Sequence, residues 1–150
     1  ARYDALSRNY RYTLSERKSP LSRFYSWQVK YHLSRELLEE ATRSLVGRCN
    51  LRGFSKGADD EDFSTIIFKN SWEFTGNLMI FNVSAVRFFH HAVRSIVGSA
   101  VEVARGKESP DFLERILKTG DRSLAGPTAP ATGLCLVSVD YGKETIASEI

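Results

Sequence analysis

Residues 65–86 read Thr-Ile-Ile-Phe-Lys-Asn-Ser-Trp-Glu-Phe-Thr-Gly-Asn-Leu-Met-Ile-Phe-Asn-Val-Ser-Ala-Val. The stretches 65–74 and 78–86 are rich in β-branched and aromatic side chains, which fit a pleated, half-buried surface. Between them, Gly76-Asn77 is the kind of pair that supplies the positive φ angles of a two-residue hairpin turn. Two antiparallel strands joined by a tight turn are therefore predicted.

Upstream, residues 9–16 set Tyr10, Tyr12 and Leu14 against Arg11, Thr13 and Ser15, the period-two pattern of a strand with one buried face. Residues 24–31 alternate through Tyr25, Trp27, Val29 and Tyr31, but Pro20 before them and Ser34 after them limit this to a short or irregular strand. Ser34 is a good N-cap, with Glu36 and Leu37 in the first turn. Leu37, Leu38, Ala41, Leu45 and Val46 then recur at helical spacing until Gly47, which predicts a helix over about 34–46. Residues 55–62 (Ser-Lys-Gly-Ala-Asp-Asp-Glu-Asp) have no apolar face and predict an exposed loop.

Downstream, residues 88–105 carry Phe89, Ala92, Val93, Ile96, Val97, Ala100, Val101 and Ala104, predicting a helix buried on much of its circumference and stopped at Gly106. Ser109-Pro110 is the cap-then-proline start of a surface helix running through Phe112, Leu113, Ile116 and Leu117 to Gly120. Residues 126–131 (Gly-Pro-Thr-Ala-Pro-Ala) cannot be regular, and they lead into a buried closing strand at 134–139. The sum is one α+β domain, a mostly antiparallel sheet backed by helices.

The chain has 150 residues, 42% hydrophobic and 26% charged, which is ordinary for a soluble folded domain. No apolar run approaches the roughly 18 residues of a membrane helix. Twenty-one Lys and Arg against 18 Asp and Glu give a formal charge of +3, enough to permit an anionic partner without establishing one. The cations are uneven: Arg2, Arg8, Arg11, Arg17, Lys18 and Arg23 crowd the first 23 residues against only Asp4 and Glu16, which makes that end the candidate for phosphate contact. Cys49 and Cys135 lie far apart without metal-ligand spacing, so a reducing compartment and two core thiols are expected. The opening at Ala1, without a methionine or signal segment, reads as a piece of something longer.

Four segments in register resemble the C-terminal half of TruA-type tRNA pseudouridine synthases. Ala1-Arg2-Tyr3-Asp4-Ala5 with Arg8, Tyr10, Arg11 and Tyr12 is similar to the family's A-R-F-x-A…R-x-Y-x-Y stretch. Phe88-Phe89-His90-His91-Ala92-Val93-Arg94-Ser95-Ile96-Val97-Gly98 is similar to its F-x-H-x-M-V-R-x-I-V-G helix. The third segment is Asp121-Arg122-Ser123-Leu124-Ala125-Gly126 with Thr128-Ala129-Pro130-Ala131, and the fourth runs from Gly133-Leu134 through Leu136-Val137 to Val139-Asp140-Tyr141. Ala92 stands where methionine is usual, and Ile66-Ile67 where an arginine commonly follows Thr-Ile.

The resemblance implies isomerisation of a uridine in tRNA, in the anticodon stem-loop by preference, with neither cofactor nor metal: the glycosidic bond breaks, the uracil turns and a carbon–carbon bond forms. The target base must leave its stack. The family's catalytic aspartate lies in an R-x-x-x-T-D-x-G-V motif that belongs to an N-terminal half and has no counterpart here; Asp121 sits in a different segment and reads as a loop or helix-cap residue. By position, Tyr10 corresponds to the tyrosine packing against the flipped base, Arg94 to the arginine pairing with the catalytic aspartate, and Leu134 to an apolar residue of the uracil pocket.

Without the resemblance, Tyr10 and Leu134 would read as core. Arg94 differs, because an arginine on an apolar helix is costly unless paired and no acid lies nearby in sequence. Arg2, Arg8, Arg11, His90 and His91 are the expected RNA contacts. A metal at His90-His91 lacks further ligands at suitable spacing, whereas phosphate at a helix start fits them. The resemblance further implies a homodimer and, as partners, tRNA and the N-terminal half of the enzyme, in the cytoplasm, with this chain inactive alone. A cut between halves would expose apolar surface, to which Phe68, Trp72 and Phe81 are expected to contribute. A non-catalytic RNA-binding module and a protein-interaction domain are the competing readings; steep weakening of binding with salt separates the RNA readings from the last.

Overall fold

The computed structural model describes residues 6–16, 25–57, 62–141 and 144–147. Its strands are β1 (Ser7–Ser15), β2 (Trp27–Gln28), β3 (Gly47–Asn50), β4 (Ser64–Thr75), β5 (Leu78–Ala85), β6 (Leu134–Tyr141) and β7 (Glu144–Ala147). The helices are α1 (Arg35–Ala41), α2 (Ala92–Ala104) and α3 (Phe112–Thr119), with short 3-10 turns at Arg52–Phe54 and Ala131–Gly133. The strand order is β3-β4-β5-β1-β6-β7, antiparallel throughout, and β2 adds one short parallel pairing to the end of β1. The fold is α+β, as its sequence predicts.

The β4-β5 hairpin pairs Trp72 with Phe81 and Thr75 with Leu78 across a two-residue turn. Gly76 has φ +58°, while Asn77 keeps a negative φ, so one left-handed residue suffices where the sequence leads one to expect two. Alternation sends Tyr12, Leu14, Met79, Phe81 and Val83 to one face, where they meet Ile96, Val97 and Ala100 of α2. Each such fully buried apolar side chain contributes roughly 1.5–3 kcal/mol. The opposite face carries Asn9, Arg11, Ser71, Glu73 and Asn82, with an Asn82 to Glu73 hydrogen bond of 2.7 Å. Phe81 is therefore 0% exposed and does not contribute open apolar surface as expected; Trp72 is half-buried, and only Phe68, at the register shift in β4, is open at 51%.

The start of α1 and the ends of α2 and α3 fall as predicted, whereas the end of α1 and the starts of α2 and α3 do not. Ser34 caps α1 by accepting from the Leu37 amide. The helix nevertheless ends at Ala41, because Asn70 Nδ2 donates to the Thr42 and Leu45 carbonyls at 3.1 and 2.6 Å and draws the chain out of the helix. Gly47, at φ +78°, then opens strand β3, which the sequence did not signal. Helix α2 begins at Ala92, four residues later than predicted, since His91 takes a left-handed φ of 66°. Helix α3 begins at Phe112 with Asp111 as its cap residue, and ends as predicted at Gly120, φ +63°.

Helix α3 does lie at the surface, burying Phe112, Leu113 and Ile116 while Glu114, Arg115 and Lys118 face outward. In the 55–62 stretch, Lys56 and Gly57 are exposed, Ser55 is buried with its hydroxyl donating to the Leu51 carbonyl at 2.6 Å, and residues 58–61 lie outside the described residues. The predicted 24–31 strand shrinks to Trp27–Gln28, and Phe24 lies outside the described residues. Strand β6, predicted buried, is half-buried along 134–140, because the helices pack over β1 and β4 more closely than over β6. No helix among the described residues is long and apolar enough to cross a membrane.

Candidate active-site cleft

Strand β1, the turn before α2, the first turn of α2 and the start of β6 meet around a cleft of about 520 Å³. Tyr10, Arg94 and Leu134, separated by 84 and then 40 residues in sequence, all line it, and so do His90 and His91. The remaining walls are Phe88, Phe89, Ala92, Val93 and Ala131. Phe88 joins the site although its sequence context marked it only as part of the α2 segment. The Phe88 ring meets that of Tyr10 edge to face, with centroids 5.3 Å apart and planes at 90°.

Register explains how β1 and β6 deliver their share. Tyr12 pairs with Leu134 and Tyr10 with Leu136, while Asn9 pairs with Ser138, which leaves Val137 as an extra residue on β6 beside Tyr10. Such bulges re-aim side chains, and this one sits at the cleft edge. Arg8 and Arg11 do not line the cleft. The Arg8 guanidinium donates to the Val86 carbonyl at 3.2 Å, and Arg11 lies exposed on the sheet face opposite Tyr10. Arg2 lies outside the described residues.

Arg94 is half-buried. Its Nε donates to the Ala129 carbonyl at 2.7 Å, and no ion pair among the described residues involves it. One of its five N–H donors is thus used, and the two-pronged Nη end, the part that grips carboxylates and phosphates, has no protein acceptor there. The His90 and His91 rings lie tilted at 30° with centroids 3.9 Å apart. His91 Nδ1 is buried without a hydrogen-bond partner. Burial first, then the positive charges of His90, Arg94 and Lys56, push the His91 pKa below the ordinary imidazole value. Among the described residues, no group of three or more His, Cys, Asp or Glu is placed to hold a metal ion.

An antiparallel sheet thus presents an aromatic-walled cleft, lined on one side by an arginine whose Nη groups have no acceptor among the described residues. The chain belongs to the tRNA pseudouridine synthase family, a family of isomerases, whose sequence profile matches residues 41–142. It is 38% identical over 144 residues to tRNA pseudouridine synthase A of Neorickettsia sennetsu, covering 94% of this chain and 58% of that protein. It is 36% identical to tRNA pseudouridine synthase A 2 of Clostridium perfringens (94% and 59%) and 37% identical to tRNA pseudouridine synthase A of Geotalea uraniireducens (93% and 59%). The chain thus spans less than three-fifths of the length of these relatives.

Proposed function

We propose that this chain is the C-terminal part of an enzyme that isomerises uridine to pseudouridine in tRNA, with Tyr10, Arg94 and Leu134 as its share of the active site. The observation that carries this reading is the meeting of those three residues in one cleft, together with an arginine fork that has no carboxylate among the described residues. The N-terminal half supplies the aspartate. Arg94 grips that carboxylate through both Nη groups, keeping it ionised and aimed. Tyr10, braced by Phe88, stacks on the extruded uracil, and Leu134 closes the apolar side of the pocket. The C1′–N1 bond breaks, C1′ bonds to C5, the C5 hydrogen leaves to solvent and N1 takes up a proton.

His90 and His91 stand at the mouth of the same cleft and meet a phosphate of the flipped nucleotide, with Arg2, Arg8 and Arg11 as outlying contacts to the same RNA. No cofactor enters the reaction. The enzyme acts as a homodimer on tRNA in the cytoplasm, with the anticodon stem-loop as its target. The half-buried β6 and the exposed Phe68 are surface that the other half or a second copy covers.

Tritium release from C5-labelled uridine in unmodified tRNA tests this. This chain alone is expected to release none, and the same chain joined to its upstream half to release tritium. No release from the joined protein would leave a non-catalytic RNA-binding module as the better reading. Sedimentation of the joined protein tests the dimer, and a monodisperse monomer at micromolar concentration overturns it.

A further inference from the structure

Arg94 is held in place from across the chain. Ala129 bonds to it with both of its backbone groups: the Ala129 amide donates to the Arg94 carbonyl at 3.0 Å, and the Ala129 carbonyl accepts from Arg94 Nε at 2.7 Å. Two bonds from one residue fix both the helix turn and the guanidinium plane. Ala129 is itself 0% exposed, within an irregular segment, 126–133, that has no secondary-structure ladder of its own to stiffen it before its closing 3-10 turn.

What stiffens that segment is Tyr12. Its hydroxyl donates to the Pro130 carbonyl at 2.5 Å, one residue beyond Ala129. A Cβ on Gly133 would lie 2.7 Å from the Tyr12 ring, so the glycine lets the segment close down on the phenol. At its other end, the Gly126 amide donates to Ser99 Oγ at 3.0 Å, and the Pro127 carbonyl presses so closely on Gly98 that a Cβ there would sit 1.6 Å away. Tyr12 is fully buried and lies outside the cleft lining, so it touches no substrate. Burial raises its pKa above the ordinary tyrosine range, with the Arg94 charge offsetting part of the rise, and the group stays a neutral donor.

We propose that Tyr12 and the 126–133 strap form a positioning clamp for Arg94, in which the phenol holds Pro130, Pro130 sets Ala129, and Ala129 turns both Nη groups toward the cleft. The role rests on the function proposed above, since the clamp matters to catalysis only if Arg94 meets the reacting system. Tyr12 is a positioning residue, distinct from Tyr10 two residues earlier on the same face.

The test uses the complete enzyme carrying Tyr12→Phe, which removes one oxygen and keeps the ring. The single-turnover rate of pseudouridine formation is expected to fall about tenfold or more, with tRNA binding unchanged. In protein labelled with 15N-arginine, the Arg94 Nε–H signal is expected to be shifted downfield and slow to exchange in the wild type, and to lose that protection in Tyr12→Phe. Ile116→Val, a core truncation on α3, is the stability control: it is expected to lower the melting temperature while leaving rate and signal unchanged. Full single-turnover activity in Tyr12→Phe, or an unprotected Arg94 Nε–H in the wild type, overturns the clamp. A wild-type enzyme that forms no pseudouridine overturns the functional reading and the catalytic role of the clamp with it, whatever the arginine signal shows.

Discussion

Tyr10 and Phe88 meet edge to face at 5.3 Å, a contact that joins the central strand β1 to the turn preceding α2 and sets one wall of the cleft. Edge-to-face pairs contribute about 0.5–1.5 kcal/mol beyond the area they bury. Phe88→Leu keeps most of the bulk and loses the edge contact. Its expected cost is therefore about 1 kcal/mol in urea unfolding, with a larger fall in uridine isomerisation by the complete enzyme than in tRNA binding, because Tyr10 loses its brace. Equal losses in rate and binding would show that Phe88 acts as general wall material.

Gly98 offers a test of sign. It lies inside α2, where helix propensity alone favours Gly→Ala by about 1 kcal/mol. The Pro127 carbonyl occupies the space a Cβ would need, at 1.6 Å, and that obstacle is backbone and cannot swing aside. Overpacking costs about 1–3 kcal/mol and at times more, and a 1.6 Å approach to backbone lies at the upper end, so Gly98→Ala is expected to destabilise by about 2 kcal/mol net. Gly106 lies in open space, and Gly106→Ala is penalised only for its left-handed φ of +84°, by about 1–2 kcal/mol. Denaturant melts of both variants check this, and a stabilised Gly98→Ala would mean that the strap does not press on α2.

The parts of the fold legible in the sequence are those governed by local period and composition. The 65–86 hairpin, the 9–16 strand and the apolar helix of α2 announce themselves because each buries a continuous face with one repeat. Capping residues such as Ser34 and Gly120 marked some helix ends, but others were not legible. The end of α1 is set by Asn70, 28 residues further along the chain from Thr42, and the start of α2 by a left-handed His91, a conformation uncommon for any residue but glycine. Tyr10 and Leu134 were legible as cleft residues only through resemblance, since by pattern they look like core, whereas Arg94 was also marked by the cost of an arginine on an apolar helix. The clamp left no trace in the sequence, since the groups of Ala129 and Pro130 that carry it are backbone atoms any residue possesses.

Asn70 carries its own prediction. Its side chain donates to two carbonyls at the end of α1, on the buried residues Thr42 and Leu45, and nearby Trp72 Nε1 donates to Thr42 Oγ1 at 3.1 Å. Asn70→Ala leaves those carbonyls without their donor, at an expected cost of about 1–3 kcal/mol. Asn70→Asp is expected to cost more at neutral pH, because a carboxylate would face two carbonyl oxygens. Its pKa would be raised in the folded state, so stability should recover as pH falls and the carboxyl becomes a donor. Melting temperatures across pH 4–8, or about that range, check the reversal; Asn70→Asp falling further at acid pH than Asn70→Ala would contradict the geometry.

His91 gives a pH dependence whose direction follows from its surroundings. Nδ1 is buried with no acceptor among the described residues, so the neutral ring is best served by carrying its proton on Nε2. Protonation would place an unsatisfied N–H at Nδ1 and add charge beside His90, Arg94 and Lys56, which is why the folded-state pKa lies below 6.5. Well above pH 6.5 the ring is neutral in both folded and unfolded chains and costs nothing. As pH falls below 6.5, the unfolded chain takes up the proton first, so stability declines until the lowered folded-state pKa is passed and then levels off. His91→Gln removes the titration and keeps a polar side chain of similar length. Urea unfolding between that plateau and neutral pH is expected to show a shallower slope for His91→Gln than for the wild type. Identical slopes would mean that water or a ligand already satisfies the ring.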